Sequence, residues 1–405
     1  MYVLYRPAMT TPHILIAGAG IGGLTAALAL LRRGFDVDVY EQAAELKEVG
    51  AGVQISANGN RALFTLGLGD ELKRLAVEAD GKEIRLWTTG QTWKLFDLGA
   101  ESIKRYGFPY LTVYRPDLHA ILAGAVSAAK PGCIHLGAKA VGLYQDESGV
   151  TLRLAAGETV RGDALIGADG VHSVVRQALF GADTPQFTGV IAWRGVMPRD
   201  GLPRHLRRNV ATNWVGPGGH VVHYPLRAGT LMNFVGIIER DDWRVESWNV
   251  RGDREECARD FRGWNRDVHA MIEAIDVPYK WALLSREPMP AWTVGRTTLL
   301  GDASHAMLPL LAQGAVMAIE DGFILARCFE KYGEVEPALR AYEQARRERA
   351  NRCVVGSAAQ AKRFHNQTLS DATQAEGYID REWNEERVKE RYEWLFQYDV
   401  TKVEI

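Results

Sequence analysis

Four stretches of the 405-residue chain place groups able to bind a ligand directly beside apolar runs. The first is Gly18-x-Gly20-x-x-Gly23, which follows Ile14 to Ala17 and opens into an apolar run reaching Leu31. The second is Glu41, at the end of the run Phe35 to Tyr40. The others are Asp169-Gly170, after Ala164 to Ala168, and Gly301-Asp302, after Arg296 to Leu300. A strand that passes through such a glycine turn into a helix aims backbone N–H groups and the positive helix end at a phosphate. The first glycine permits the bend, the second lets a pyrophosphate approach, and the third lets the helix pack on the strand. A carboxylate roughly 20 residues further on, here Glu41, is placed to take the hydroxyls of an adenosine ribose. An Asp ending a parallel strand lies where such sheets bind ligands, although taken singly it is more often a helix N-cap. The chemistry these residues support is binding of a dinucleotide.

The elements that must position these groups follow from the patterning. Strand, turn, helix and strand from Ile14 to Tyr40 form a Rossmann-like unit, so the class is α/β with α+β character. Asn58 to Leu66 reads as a helix, and Gly50-Ala51-Gly52 is either a second backbone approach to a ligand or a plain turn. Lys82 to Leu98 alternates as two exposed-face strands. A helix starts near Pro116 with Arg115 just before it and Asp117 in its first turn. Strands are expected at Ile134 to Leu143 and Val150 to Leu154. From Val190 to Tyr279, tryptophan-rich alternating segments predict a mostly antiparallel sheet, closed by an amphipathic helix near Glu255 to Ala274. A helix runs from about Gln313 to Tyr332, and the charged tail from Pro337 is helical, with Arg346, Arg347 and Arg349 on a solvated face. Gly216-Pro217-Gly218-Gly219 and Gly67-Leu68-Gly69 are turns. The lobes interleave: 9–81, 109–185 and 290–335 build the Rossmann-like one, 82–108 and 186–289 the second, and 336–405 the helical tail.

Charged residues are 24% and hydrophobic residues 47%, an ordinary globular balance, and a net charge of −2 gives no reason to expect nucleic acid or a membrane as partner. Cys133, Cys257, Cys328 and Cys353 form no metal-ligand or disulfide pattern, so no metal is expected and a cytoplasmic setting is the default. Residues 1–8 read as a ragged extension before Met9.

Together, the glycine turn, Asp169-Gly170 and Gly301-Asp302 resemble the motifs of the class A flavin monooxygenases, the single-component aromatic hydroxylases. The resemblance runs from about residue 12 to EWLFQYDV near the C-terminus. It implies FAD as cofactor, NADH or NADPH as co-substrate, and molecular oxygen and an aromatic acid as substrates, in a monomer or homodimer. It assigns Gly18, Gly20, Gly23, Glu41 and Gln42 to the adenosine diphosphate half of FAD, and backbone at Ala140 to the adenine. Gln54 and Arg115, in an R-x-x-L pattern, fall at flavin-contacting positions. Asp302 falls to the ribityl chain, and the segment at Asp169 to both FAD and the nicotinamide donor. The helix beginning at Gly314 aims free N–H groups at the flavin pyrimidine edge, which becomes anionic on reduction.

AWRGVMP, GHVVHYPLR and GDASHAMLPLLAQGAVMAIED look like the branch containing salicylate hydroxylase, 3-hydroxybenzoate 6-hydroxylase and 6-hydroxynicotinate 3-monooxygenase. That branch acts on small aromatic acids with a ring hydroxyl, through a flavin C4a-hydroperoxide. Its paired His and Tyr match His220 and Tyr224, which on one strand share a face roughly 13 Å apart. His220 is expected to be the general base and Tyr224 to orient the substrate. Pro309 matches the position whose backbone carbonyl faces the substrate, and Leu310, where hydroxynicotinate enzymes carry His, gives an apolar corner that favours benzoates. Trp193 and Trp214 are expected in the sheet core, and Arg194 either at the flavin or substrate carboxylate or in an ion pair. Alternatives are a hydroxylase of N-heteroaromatic acids such as 6-hydroxynicotinate, an FAD-binding oxidoreductase without oxygen insertion, and an NAD-dependent dehydrogenase, which leaves Asp169-Gly170 and Gly301-Asp302 unexplained.

Overall fold

The computed structural model describes residues 11–46, 51–242 and 250–405; Met9, the extension before it and Gly50 lie outside the described residues. The strand His13–Ala17 lies between Asp36–Tyr40 and Ala164–Gly167, parallel to both. Ile134–His135 and Thr297–Leu299 extend this sheet in parallel, and Thr293–Val294 closes one edge antiparallel. The side chains of Ile14, Leu15 and Ile16 are fully buried, as expected for a central strand covered on both faces. Helix Ile21–Leu31 crosses helix Gly314–Tyr332 closely: a Cβ on Gly322 would sit 2.6 Å from the Ala26 backbone nitrogen.

The second sheet has seven strands in the order Tyr279–Ser285, Gln186–Pro198, Leu231–Glu239, Gly219–Leu226, Val210–Gly216, Gly81–Leu86 and Thr92–Asp97. All neighbours are antiparallel except Val210–Gly216 with Gly81–Leu86. Trp193 and Trp214 lie fully buried on its far face, packed with Phe261 and Trp264 in a second core. Gly216 to Gly219 forms the hairpin turn joining two of these strands, and Gly67, at φ 70°, joins two helices.

Four expectations need correction. The helix near Glu255 to Ala274 is two helices, Arg254–Asp260 and Arg266–Ala274. Gly263 at φ 85° breaks the chain, Asn265 caps the second helix through the Asp267 N–H, and Phe261 and Trp264 turn inward edge to face at 5.1 Å. The run Ile134 to Leu143 divides between two sheets, because Gly137 at φ 67° lets Ala140–Asp146 leave to pair with Gly149–Leu154. The first strand of Lys82 to Leu98 is interior rather than exposed-faced: Lys82, Glu83 and Arg85 are all buried, and Glu83 pairs with Arg85 at 3.0 Å and with Arg208 at 2.9 Å. Arg346 and Arg349 are not on a solvated face. Arg346 is fully buried and pairs with Glu320 at 2.7 Å and Asp321 at 2.8 Å, while Arg349 pairs with Glu320 at 2.8 Å. Charge in a helical sequence reads as solvation until buried acids on a neighbouring helix supply partners. Arg347 alone is substantially exposed, paired to Glu343 one turn back.

Candidate active site

The two sheets enclose a cavity of about 370 Å³. One wall is the glycine turn. Gly18 sits at φ 105°, and a Cβ there would lie 2.4 Å from the Ala168 carbonyl; a Cβ on Gly23 would lie 2.0 Å from the Gly18 carbonyl. Gly20 differs: a Cβ there meets no atom within 4 Å, yet the residue lines the cavity at the head of a buried helix. Two glycines therefore serve packing and the third leaves room for an anionic ligand at the helix end. Buried His119 steadies the turn through a 2.7 Å hydrogen bond between Nε2 and the Ala19 carbonyl. Glu41 accepts from the Ala19 and Ala43 N–H groups, each at 2.8 Å, which fixes its carboxylate beside the turn. Gln42 is exposed, and Ala140 begins the strand that follows Ala138, whose N–H donates to the Glu41 carbonyl.

Asp169 reaches no cavity surface with its carboxylate. Oδ1 accepts from the Ser173 hydroxyl at 2.5 Å and Oδ2 from the Val174 and Val175 N–H groups at 2.8 and 3.2 Å. It caps the helix Val174–Phe180 and thereby holds Ala168, Gly170 and Val171 against the cavity. Burial raises its pKa against those hydrogen bonds.

The opposite wall carries Gly301, Asp302, Pro309 and Gly314. Gly301 turns at φ 64°, and its N–H donates to Asp321 at 3.2 Å. Asp302 is exposed at the start of a short helical turn. Gly314 begins a 19-residue helix whose leading N–H groups, without intrahelical partners as in any helix, have no side-chain cap and no acidic side chain in the first turn. That helix is locked in place by buried polar groups. Asn58 donates to Glu320 at 2.7 Å, Gln313 donates to the Ser56 hydroxyl at 3.0 Å, and Nε2 of His305 lies 2.6 Å from Asp321. Burial would raise both acids, but Arg349 and Arg346 hold the Glu320 pKa below the usual range, and His305 and Arg346 do the same for Asp321. Pro309 is exposed to the cavity, but Leu310 is buried in the core and absent from the lining. The apolar corner expected of Leu310 is instead made by Met307 and Ala312, so that residue carries no argument about the substrate ring.

His220 and Tyr224 line the cavity from one strand, with Val222 between them. Both are buried, at 1% and 4% exposure. Burial and neighbouring His365 push the His220 pKa well below 6.5, so the imidazole is neutral. Burial raises the Tyr224 phenol above its ordinary 10, so it keeps its proton, and Gln54 is its hydrogen-bond neighbour. An acceptor and a donor thus face the same space. The Gln54 amide oxygen also accepts from the Tyr110 hydroxyl at 2.8 Å. Arg115, the first residue of its helix, and buried Arg194 bring positive charge to the lining; the Arg194 guanidinium lies 5.1 Å from the Trp281 ring centroid. Gly52 lines the cavity too, but its missing side chain makes room for the Tyr224 ring rather than for a ligand. Sequence reasoning missed His365, which touches His220 from the end of helix Val335–Phe364; a single histidine 145 residues away carries no local signal.

Residues 11–357 match the family described as FAD binding domain. The chain is 37% identical over 394 residues to a 3-amino-4-hydroxybenzoate 2-monooxygenase of Streptomyces platensis, covering 97% of each. It is 37% identical over 390 residues to a 3-hydroxybenzoate 6-hydroxylase of Polaromonas naphthalenivorans, covering 96% of each. Among solved structures, Klebsiella pneumoniae HpxO complexed with FAD and uric acid superposes with a TM-score of 0.81 at 28% identity, covering 96% of each chain. The chain belongs to this family of FAD-dependent aromatic monooxygenases. Among the described residues no helix is long and apolar enough to cross a membrane.

Proposed function

We propose that this FAD-dependent monooxygenase hydroxylates a small aromatic acid bearing a ring hydroxyl, with NADH or NADPH as electron donor. The observation that carries the reading is the shared cavity: His220 and Tyr224 face the same space as Gly20, Asp302 and Gly314. The open space at Gly20, the fixed carboxylate of Glu41 and the uncapped helix at Gly314 fit an FAD running from the glycine turn to the second sheet. Gln42, Arg115, Gln54 and backbone at Ala140 complete its cradle, Gly18 and Gly23 hold the turn behind Gly20 in shape, and the Asp169 cap sets the Ala168–Val171 backbone against it. These residues would hold FAD, which, once reduced by the nicotinamide donor, would supply an electrophilic oxygen atom from O2.

The chain's own residues then have to bind an acid, make its ring electron-rich and exclude water. Arg194 supplies positive charge for the carboxylate. Neutral His220 accepts the phenolic proton, Tyr224 donates a hydrogen bond that orients the ring, and the Pro309 carbonyl faces the ring from the opposite wall. Val222, Val235, Ile237 and Leu283 provide the apolar surface. The 3-amino-4-hydroxybenzoate and 3-hydroxybenzoate enzymes among the relatives support a hydroxybenzoate, with or without an amino group. The test is a screen of hydroxybenzoates, aminohydroxybenzoates and 6-hydroxynicotinate for stimulated NADH or NADPH oxidation, with product identification. Stimulation by a benzoate with a hydroxylated product is expected; stimulation by 6-hydroxynicotinate alone would replace the benzoate reading with the heteroaromatic one.

A further inference from the structure

His220 is the inner end of a chain of groups that leads out of the cavity. Its Nδ1 lies 2.7 Å from Nε2 of His365, and Nδ1 of His365 lies 3.0 Å from Oε1 of Glu239. The His365 side chain is 3% exposed and that of Glu239 is 53% exposed, so the line runs from a buried ring to solvent. Three separate elements build it: the strand Gly219–Leu226, the strand Leu231–Glu239 and the end of helix Val335–Phe364. The His365 carbonyl accepts from the Gly218 N–H at 3.2 Å, which ties the helix end to the hairpin.

We propose that His365 and Glu239 form a proton relay that carries the substrate's phenolic proton from His220 to solvent. The proposal rests on the reading of His220 as the base. An ionised carboxylate only accepts, so Nδ1 of His365 carries the hydrogen and donates to Glu239. Neutral His365 then has a bare Nε2, which accepts the Nδ1 hydrogen of His220. This leaves Nε2 of His220 bare on the cavity side, the form a base requires. When the phenol O–H breaks and a bond to Nε2 forms, His220 passes its Nδ1 proton to His365. His365 passes its own Nδ1 proton to Glu239, and Glu239 releases it to water. The substrate loses one proton, solvent gains one, and no electrons move; a solvent proton passed inward after turnover, with the Nε2 proton of His220 going to the product phenolate, restores both tautomers.

The relay answers a difficulty in the site. Burial disfavours a charged imidazole at residue 220, so a proton left there would be poorly held. An exposed carboxylate two groups away gives it an exit without opening the cavity. His365 and Glu239 act through His220 and are positioning residues.

The test uses FAD-bound enzyme and 3-hydroxy-4-nitrobenzoate, without NADH, at a pH where the free ligand is protonated. The nitrophenolate colour reports ionisation on the enzyme apart from hydroxylation. Wild type should bind the ligand as phenolate. His365→Gln, whose amide oxygen still accepts from His220 but cannot pass a proton on, should slow the colour change about tenfold or more with little change in affinity. Glu239→Gln should slow it in the same direction. Wild-type rates in both variants would overturn the relay and leave the base reading standing. Binding of the ligand to wild type without phenolate colour would overturn the base reading, and the relay with it. Should the variants not fold, the ¹⁵N-histidine spectrum of wild-type holoenzyme decides: a neutral Nδ1–H tautomer at His220 is expected, and an Nε2–H tautomer overturns the proposal.

Discussion

The ring of Tyr224 fills the space that a side chain at Gly52 would need, with Cε2 2.5 Å and the hydroxyl 2.8 Å from an added Cβ. Gly52 therefore sets where the proposed substrate-orienting phenol stands. Gly52→Ala should force the ring off its rotamer, at about 1–3 kcal/mol, and lower kcat/KM for hydroxylation by roughly ten- to a hundredfold. FAD content should not change. Product formation per bound FAD checks this; wild-type turnover would mean that the position of Tyr224 is immaterial.

Gly20 and Gly23 should behave differently although both belong to one motif. A Cβ at residue 23 collides with the Gly18 carbonyl, so Gly23→Ala should destabilise the apoprotein. A Cβ at residue 20 meets only open space, so Gly20→Ala should leave apoprotein stability within about 0.5 kcal/mol and still weaken FAD binding. Denaturant midpoints of the two apoproteins, beside FAD titrations, separate the effects.

The contrast shows what the sequence carries. The Rossmann-like unit was legible because glycine spacing and apolar runs are local signals, and the helix starting at Gly314 and the antiparallel sheet followed from period and composition. Arg346 and Arg349 were misread because burial of a charge is decided by Glu320 and Asp321 on another helix. Asp169 illustrates the same limit: its position after a strand is visible, but only the fold shows that Ser173, Val174 and Val175 take up its oxygens. Leu310 is expected at the cavity because hydroxynicotinate enzymes carry His at that position, whereas the short helical turn Pro309–Leu311 buries it in the core. His365 and Glu239 meet His220 only through tertiary structure.

Acid should weaken the fold through His223. It is buried with no hydrogen-bond partner at either ring nitrogen among the described residues, and burial, with Arg85 and Arg208, lowers its pKa to about 3. The folded value lies below the unfolded one, so the unfolded chain binds the extra proton. Stability is full above about pH 6.5 and falls by about 1.4 kcal/mol per pH unit as pH drops toward 3. His223→Leu should flatten this slope without lowering stability at pH 7. Urea midpoints at pH 7 and 5 measure it.

Arg346 neutralises two buried acids, and Arg346→Met should cost about 3–5 kcal/mol. Glu320 and Asp321 have lowered pKa values in the folded state, so their contribution is present above their unfolded values and lost as pH falls through the folded ones. The variant should unfold at lower denaturant at pH 7, and its deficit should shrink in acid. Chemical denaturation across pH tests both.

His220→Leu should retain FAD and lose hydroxylation by about 10²–10⁴-fold, because the site keeps its shape and loses its base. Flavin absorbance and product analysis on the same preparation check the split; undiminished product would remove His220 from the mechanism.

The reaction proposed for this enzyme is oxygen insertion into a hydroxylated aromatic acid. It is tested by incubating the FAD-bound enzyme with NADH or NADPH, ¹⁸O2 and the best stimulating hydroxybenzoate. A product carrying one ¹⁸O atom, formed in step with nicotinamide oxidation, is expected. Hydrogen peroxide as the sole oxygen product with every acid tried would contradict it.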